Sequence, residues 1–157
     1  MKINNGLKLY KSSKKIIPGG NTLFSKRSEL YLPDKWPAYF SKAKKTYVWD
    51  LKGSRLLDMF CAVGTNILGY ANDRVNKSVS NKIKKSNMSS LNCPEEFELA
   101  KEIISHHPWS SMAKFTRSGG EANALAFRIA RSYTKKKNVA FCGYHGWHDW
   151  YLSANIN

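Results

Sequence analysis

One stretch narrows what this 157-residue chain can fold into more than any other. Over residues 112–142, two short apolar runs flank a glycine turn and a helix-period stripe. The first run, residues 112–116, passes through Arg117 into Ser118-Gly119-Gly120. Over residues 121–133 the side chains of Ala122, Leu125, Ala126, Ile129, Ala130 and Tyr133 recur at helical spacing. Residues 138–142 form the second apolar run. Strand, turn, helix and strand in that order describe a βαβ unit, because parallel strands need a long crossover between them. The chain is therefore expected to be α/β and to carry the first part of a parallel sheet.

Upstream, the signals are more local. Residues 1–45 are punctuated by Pro18-Gly19-Gly20, Pro33 and Pro37 and read as turns and extended segments. Residues 46–60 read as a β-hairpin. Tyr47, Val48 and Trp49 make one arm, Asp50-Leu51-Lys52-Gly53 the turn, and residues 56–60 the other arm. Over residues 73–87, Val75, Val79 and Ile83 give a helix one narrow apolar stripe. A second helix opens at Pro94, whose missing N–H costs nothing in the first turn. Glu95 and Glu96 face the positive end of its dipole, and His106, His107 and Pro108 close it.

The chemistry lies at the two junctions of the βαβ unit. A glycine turn at a helix N-terminus exposes amides that the helix cannot satisfy, and the dipole there favours an anion. Gly119 and Gly120 would let a phosphate approach the backbone, and Ser118 could add a hydroxyl. The same residues would also serve as a plain tight turn with Ser118 as helix cap. They form no P-loop, no dinucleotide fingerprint and no nucleophile elbow. At the second junction stand Tyr144, His145, Gly146, Trp147 and His148. Ligands of α/β sheets bind beyond the C-terminal strand ends, so an aromatic ring here could stack on a flat cofactor. Cys142, His145 and His148 have ligand-type side chains at short spacing, but no second Cys/His cluster accompanies them, and no metal is expected. An aromatic-rich loop buried in a core is the third reading.

Composition excludes some functions. Lys and Arg number 26 against 11 Asp and Glu, for a net charge of +15. That is a footprint of nucleic-acid binding. The basic residues, however, are mostly lysines spread from Lys2 to Lys137 in short runs, so nucleic acid is not the expected partner. A non-enzymatic basic module that binds nucleic acid or a partner protein is the alternative. Cys61, Cys93 and Cys142 are three, widely spaced and without a CxxC pair, which suits free thiols in a reducing cytoplasm. No apolar run approaches the roughly 18 residues that span a bilayer, and the basic N-terminus lacks the apolar region of a secretory signal. A cytoplasmic protein is expected, with no membrane partner.

Ser118-Gly119-Gly120-Glu121-Ala122-Asn123, the helix reaching Ala130-Arg131, and Tyr144-His145-Gly146 downstream resemble the SGxEA and YHG segments of class III aminotransferases. Within the class, the chain is most similar to the glutamate-1-semialdehyde 2,1-aminomutase group. Ile17-Pro18-Gly19-Gly20 resembles that group's IPGG opening. Trp49-Asp50, Gly53 and Leu57-Asp58 resemble its hairpin, and Asn66-Ile67-Leu68-Gly69-Tyr70 its LGH segment. The likeness runs over nearly the whole chain in the family's order.

The resemblance implies pyridoxal 5′-phosphate (PLP) as cofactor and the type I fold of PLP enzymes. Residues 1–70 would be an N-terminal segment with the hairpin, and residues 71–157 the incomplete start of the PLP-binding large domain. Ser118, Gly119 and Gly120 would hold the phosphate, Tyr144 would stack on the pyridine ring and His145 would lie beside it. Ser25 and Arg27 would bind the substrate carboxylate. Partners would be a small-molecule amino donor or acceptor, the C-terminal remainder of the enzyme, and a second subunit in a homodimer. The family's Schiff-base lysine, and the carboxylate that pairs with the pyridine nitrogen, lie beyond Asn157, so no catalytic residue is expected here and the chain alone should be inactive. Two departures bear on substrate choice. Gly120 stands where the aminomutases have threonine, and residues 21–27 replace VNSPVR with a stretch one residue longer.

Overall fold

The computed structural model describes residues 5–148 and Tyr151, in two compact units, Met1–Met88 and Ser89–Asn157.

The first unit opens with helix α1 (Gly6–Ser13). Its cap is Asn5, whose Oδ1 accepts from the amides of Leu7 and Lys8 at 3.1 and 3.2 Å. Tyr10 of α1 is the one buried hydrophobic side chain among the described residues. Its hydroxyl lies 3.1 Å from the Gly19 carbonyl and 2.9 Å from the Glu29 carboxylate. The Lys14 ammonium closes on Glu29. The Pro18-Gly19-Gly20 turn thus wraps onto α1. Both glycines have positive φ, and a Cβ on Gly20 would stand 2.6 Å from the Tyr10 ring. Only glycine fits there.

A three-stranded antiparallel meander follows, β1 (Phe40–Lys44), β2 (Tyr47–Asp50) and β3 (Arg55–Leu57). Ala43 pairs with Val48, and Val48 with Leu56. The expected hairpin is β2–β3, with its second arm shorter than expected. Its turn is fastened by Asp50, whose Oδ1 accepts from the amides of Lys52 and Ser54 at 2.8 Å each. The Ser54 amide is the main reason that the Asp50 carboxyl sits below its usual range. After Leu57 the chain leaves the ladder, because the Asp58 carboxylate turns back to accept from the Phe60 amide at 2.8 Å. Helix α1 and strand β1 correct the expectation that residues 1–45 are irregular. Two short polar elements gave no apolar period to read. Past the single turn α2 (Cys61–Gly64), Tyr70 bridges to Lys45 and its hydroxyl donates to Asp58. Burial, and then that bond, push the Tyr70 phenol up to about 12. Helix α3 (Asp73–Ile83) is capped by Asn72 and ends four residues before the expected 87.

The second unit holds α4 (Pro94–His106) and α5 (Gly119–Thr134). Both lie where the apolar period places them, although α5 starts two residues earlier than its stripe. The two expected strands are not formed. Residues 112–116 and 138–142 carry no ladder hydrogen bonds among the described residues. A strand exists by virtue of its neighbours, and these two segments do not pair with each other. The turn and the helix of the βαβ unit are present without its sheet.

Candidate cofactor site

Helix α5 begins at a capping arrangement built from Arg117, Ser118 and Glu121. Ser118 is extended, at φ −149° and ψ 160°, and its Oγ accepts from the Glu121 amide at 3.2 Å. Glu121 reaches back and accepts from the Arg117 amide at 2.9 Å and from Arg117 Nη2 at 3.0 Å. This is a capping box whose return bond lands one residue early. Those bonds, the Arg117 amide first, hold the Glu121 carboxyl below its usual range, with a smaller attraction from His148. The carboxylate therefore stays charged and is turned toward Arg117, where a guanidinium offsets it.

The cap satisfies only one of the first amides. Gly119 and Gly120 donate to nothing among the described residues. Nothing stands within 4 Å of where a Cβ on Gly119 would be, so that side is open to a ligand. Two free amides at the positive end of a 16-residue helix, with an open glycine beside them, fit a phosphate group. The two readings of Ser118 are compatible, since a hydroxyl that accepts from Glu121 still has its hydrogen to donate.

The Tyr144 segment docks on this same helix start. Asn123 Nδ2 donates to the His145 carbonyl at 3.1 Å. Gly146, at φ +103°, passes so close that a Cβ on it would stand 3.0 Å from Gly120 Cα. The structure thus brings Ser118, Gly119 and Gly120 together with His145. The Tyr144 ring is exposed and packs edge-on to Tyr151 at 6.0 Å. His145 spends Nε2 on the Cys142 carbonyl at 2.6 Å and packs on Phe141. Among the described residues no three His, Cys, Asp or Glu side chains converge in a metal-binding group, and no helix is long and apolar enough to cross a membrane.

Ser25 and Arg27 belong to the first unit. Ser25 lies in a 3-10 turn, Phe24–Lys26, with Arg27 as its C-cap. The Arg27 guanidinium lies 5.1 Å from the Phe24 ring centroid and against Gly19, whose Cβ would meet Nη2 at 2.3 Å. Its Nε is buried without a hydrogen-bond partner among the described residues. A buried donor of this kind is one that the described residues leave without an acceptor.

Three residues at the site receive no part in cofactor binding from the sequence. Asn123 carries a signal, a lone amide between alanines in the second turn of α5, and Gly146 another, a glycine beside aromatics. His148 reads there only as a metal candidate, yet its ring packs on Gly120, where a Cβ would meet Cδ2 at 2.6 Å. Only the fold reveals that contact.

Comparison with known proteins places this geometry. The family model for aminotransferase class III matches residues 32–155. The chain is 34% identical over 151 residues to a 3-aminobutyryl-CoA aminotransferase of Cloacimonas acidaminovorans, covering 96% of this chain and 36% of that protein. It is also 34% identical over 151 residues to a glutamate-1-semialdehyde 2,1-aminomutase of Methanothrix thermoacetophila, covering 95% and 34%. Among solved structures it superposes on the FumI protein of Sphingopyxis sp. MTA144, solved in a PLP form, with TM-score 0.83 and 25% identity, over 92% of this chain and 35% of that one. The chain spans about a third of the length of the relatives it matches, and the fold is that of type I PLP-dependent transaminases. It belongs to the class III aminotransferases, a PLP-dependent family.

Proposed function

We propose that this chain is the N-terminal portion of a PLP-dependent aminotransferase or aminomutase acting on an amino acid or a related amino or carbonyl compound. Residues 71–157 begin its large domain. The reading rests on one observation, the pair of free amides at Gly119 and Gly120 with the Tyr144 segment docked against Gly120 and Asn123. When bound, PLP supplies an electron sink for carbon–nitrogen bond chemistry. The chain's own residues bind and orient. Gly119 and Gly120 donate their amides to the phosphate, the α5 dipole adds to the attraction, and the Ser118 hydroxyl gives a third donor. Tyr144 covers one face of the pyridine ring, with His145 beside it. Arg27, with Ser25 in the same turn, takes a substrate carboxylate on its guanidinium. No lysine in residues 1–157 holds the family's Schiff-base position, so these residues hold cofactor without turnover, and activity needs the C-terminal remainder and a second subunit.

The test uses 4′-deoxypyridoxine 5′-phosphate, which has the phosphate and ring but no aldehyde for surface lysines to capture. Adding it should shift the amide resonances of Gly119 and Gly120. Gly119→Asp, which puts a carboxylate into the open space beside the free amides where a dianion must sit, should abolish the shift at Gly120. An unchanged response in that variant would mean that the loop is only a turn.

A second reading, a basic binding module, has one observation in its favour. Arg128, Arg131, Lys135, Lys136 and Lys137 line one shallow groove at the C-terminal end of α5. Polyanion binding there would fall steeply with added salt. We favour the first reading because the class III family match runs over residues 32–155 and so takes in the whole of the Gly119 loop and the Tyr144 segment.

A further inference from the structure

The two glycines of the phosphate loop are not equivalent. Around Gly119 the space for a side chain is open, whereas around Gly120 it is taken. The occupant is the His148 imidazole. A Cβ built on Gly120 would meet His148 Cδ2 at 2.6 Å, Nε2 at 2.9 Å and Cγ at 3.3 Å. The ring edge that carries Nε2 therefore points into the volume a side chain at position 120 would fill. That volume borders the free Gly120 amide.

Several contacts fix the imidazole there. The Tyr151 amide donates to the His148 carbonyl at 2.9 Å. The Trp147 ring packs edge-on to His148 at 5.2 Å. Gly146 presses against Gly120 Cα, and Asn123 holds the His145 carbonyl. Neither ring nitrogen of His148 has a hydrogen-bond partner among the described residues. A polar ring is thus held by its backbone and by packing, with its nitrogens unspent, at the edge of an anion site.

We infer that His148 is a phosphate-binding residue, its Nε2–H donating to the cofactor phosphate from the place where a side chain at position 120 would otherwise reach. Glycine at position 120 is then a requirement of the histidine. Any side chain there would evict the ring, which stands 2.6 Å from where its Cβ would be. The inference rests on the PLP reading above.

The coupling between the two positions makes it testable by a double-mutant cycle in the 157-residue chain, with 4′-deoxypyridoxine 5′-phosphate as probe. His148→Ala removes a hydrogen bond to a charged group and should weaken binding about tenfold. Gly120→Thr collides with the ring and should weaken it at least as much. Combined with His148→Ala, the threonine has room and brings its own hydroxyl, so the double variant should bind within about threefold of the parent. His148→Gln, which keeps a donor, should lose less than His148→Ala. The His148 Nε2 resonance should move with the Gly119 and Gly120 amides as probe is added. If the amides respond while Nε2 does not, and the double variant is no better than the product of the single effects, the histidine role is overturned and the phosphate loop stands. If the amides do not respond either, the PLP reading fails and takes this inference with it.

Discussion

Tyr144 and Tyr70 show how differently two exposed-looking phenols are employed. The Tyr144 ring is 76% exposed and among the described residues packs on Tyr151, edge-on, which leaves its faces open to a planar ligand. Removing it as Tyr144→Ala should cost about 1 kcal/mol of cofactor affinity, the worth of one aromatic pair. That is a several-fold rise in the dissociation constant of 4′-deoxypyridoxine 5′-phosphate, read by fluorescence, with no effect on helix content. Tyr70, by contrast, is held by Asp58. Burial and the Asp58 bond push its folded phenol from the ordinary tyrosine range up to about 12. A raised value means that the neutral form is favoured on folding. The contribution is complete below pH 10 and is lost as pH rises toward 12. In an alkaline titration followed at the tyrosinate band, one of the eight tyrosines should titrate late. Tyr70→Phe should remove that late step and leave the others in place. A late step that survives the substitution would show that the Asp58 bond is not its cause.

At the scale of elements, what the sequence disclosed follows from how local each signal is. The helices α4 and α5 were legible because Pro94 with Glu95 and Glu96, and Ser118 with Glu121, are complete start signals within four residues. The hairpin was legible because Asp50 and Gly53 make its turn without outside help. Strand β1 was not, since its register with β2 is set by a partner the local pattern cannot name. Residues 112–116 and 138–142 fail for the opposite reason, an apolar run without a neighbour to pair with. His148 was read as a metal candidate because its contact with Gly120 spans 28 residues of sequence and depends on α5 being in place. The caps of α5 give a direct test. Ser118→Ala should destabilise the helix by about 1 kcal/mol, and Ser118→Gly by only a few tenths, because an exposed backbone replaces the lost cap. At the other end Lys135 sits in the left-handed region at φ 58°, where glycine carries no Cβ penalty. Lys135→Gly should therefore stabilise α5 by about 1 kcal/mol. Chemical denaturation followed by circular dichroism would read both ends. Equal losses for the two Ser118 variants would refute the cap.

The apolar stripes that the sequence marked as faces of a core are largely uncovered in the folded chain. Val75, Val79 and Ile83 of α3 are 46%, 50% and 60% exposed, and Ile129 and Tyr133 of α5 are 58% and 88% exposed. Apolar surface of that extent is stable in water only when something covers it. The charge of +15 opposes aggregation through mutual repulsion, and that repulsion weakens as salt screens it. Two effects of opposite sign thus act on the isolated chain, and ionic strength sets their balance. At low salt it should stay dispersed and bind a hydrophobic dye strongly. As salt rises past about 0.15 M, where the screening length falls to about 8 Å, it should self-associate, seen as growth in light scattering with a parallel loss of dye sites. Supplying the C-terminal remainder of the fold in trans should suppress both signals together, because the same faces would be covered. A monomer that binds no dye, stays dispersed in high salt and melts in one sharp transition would show that these 157 residues close a core of their own.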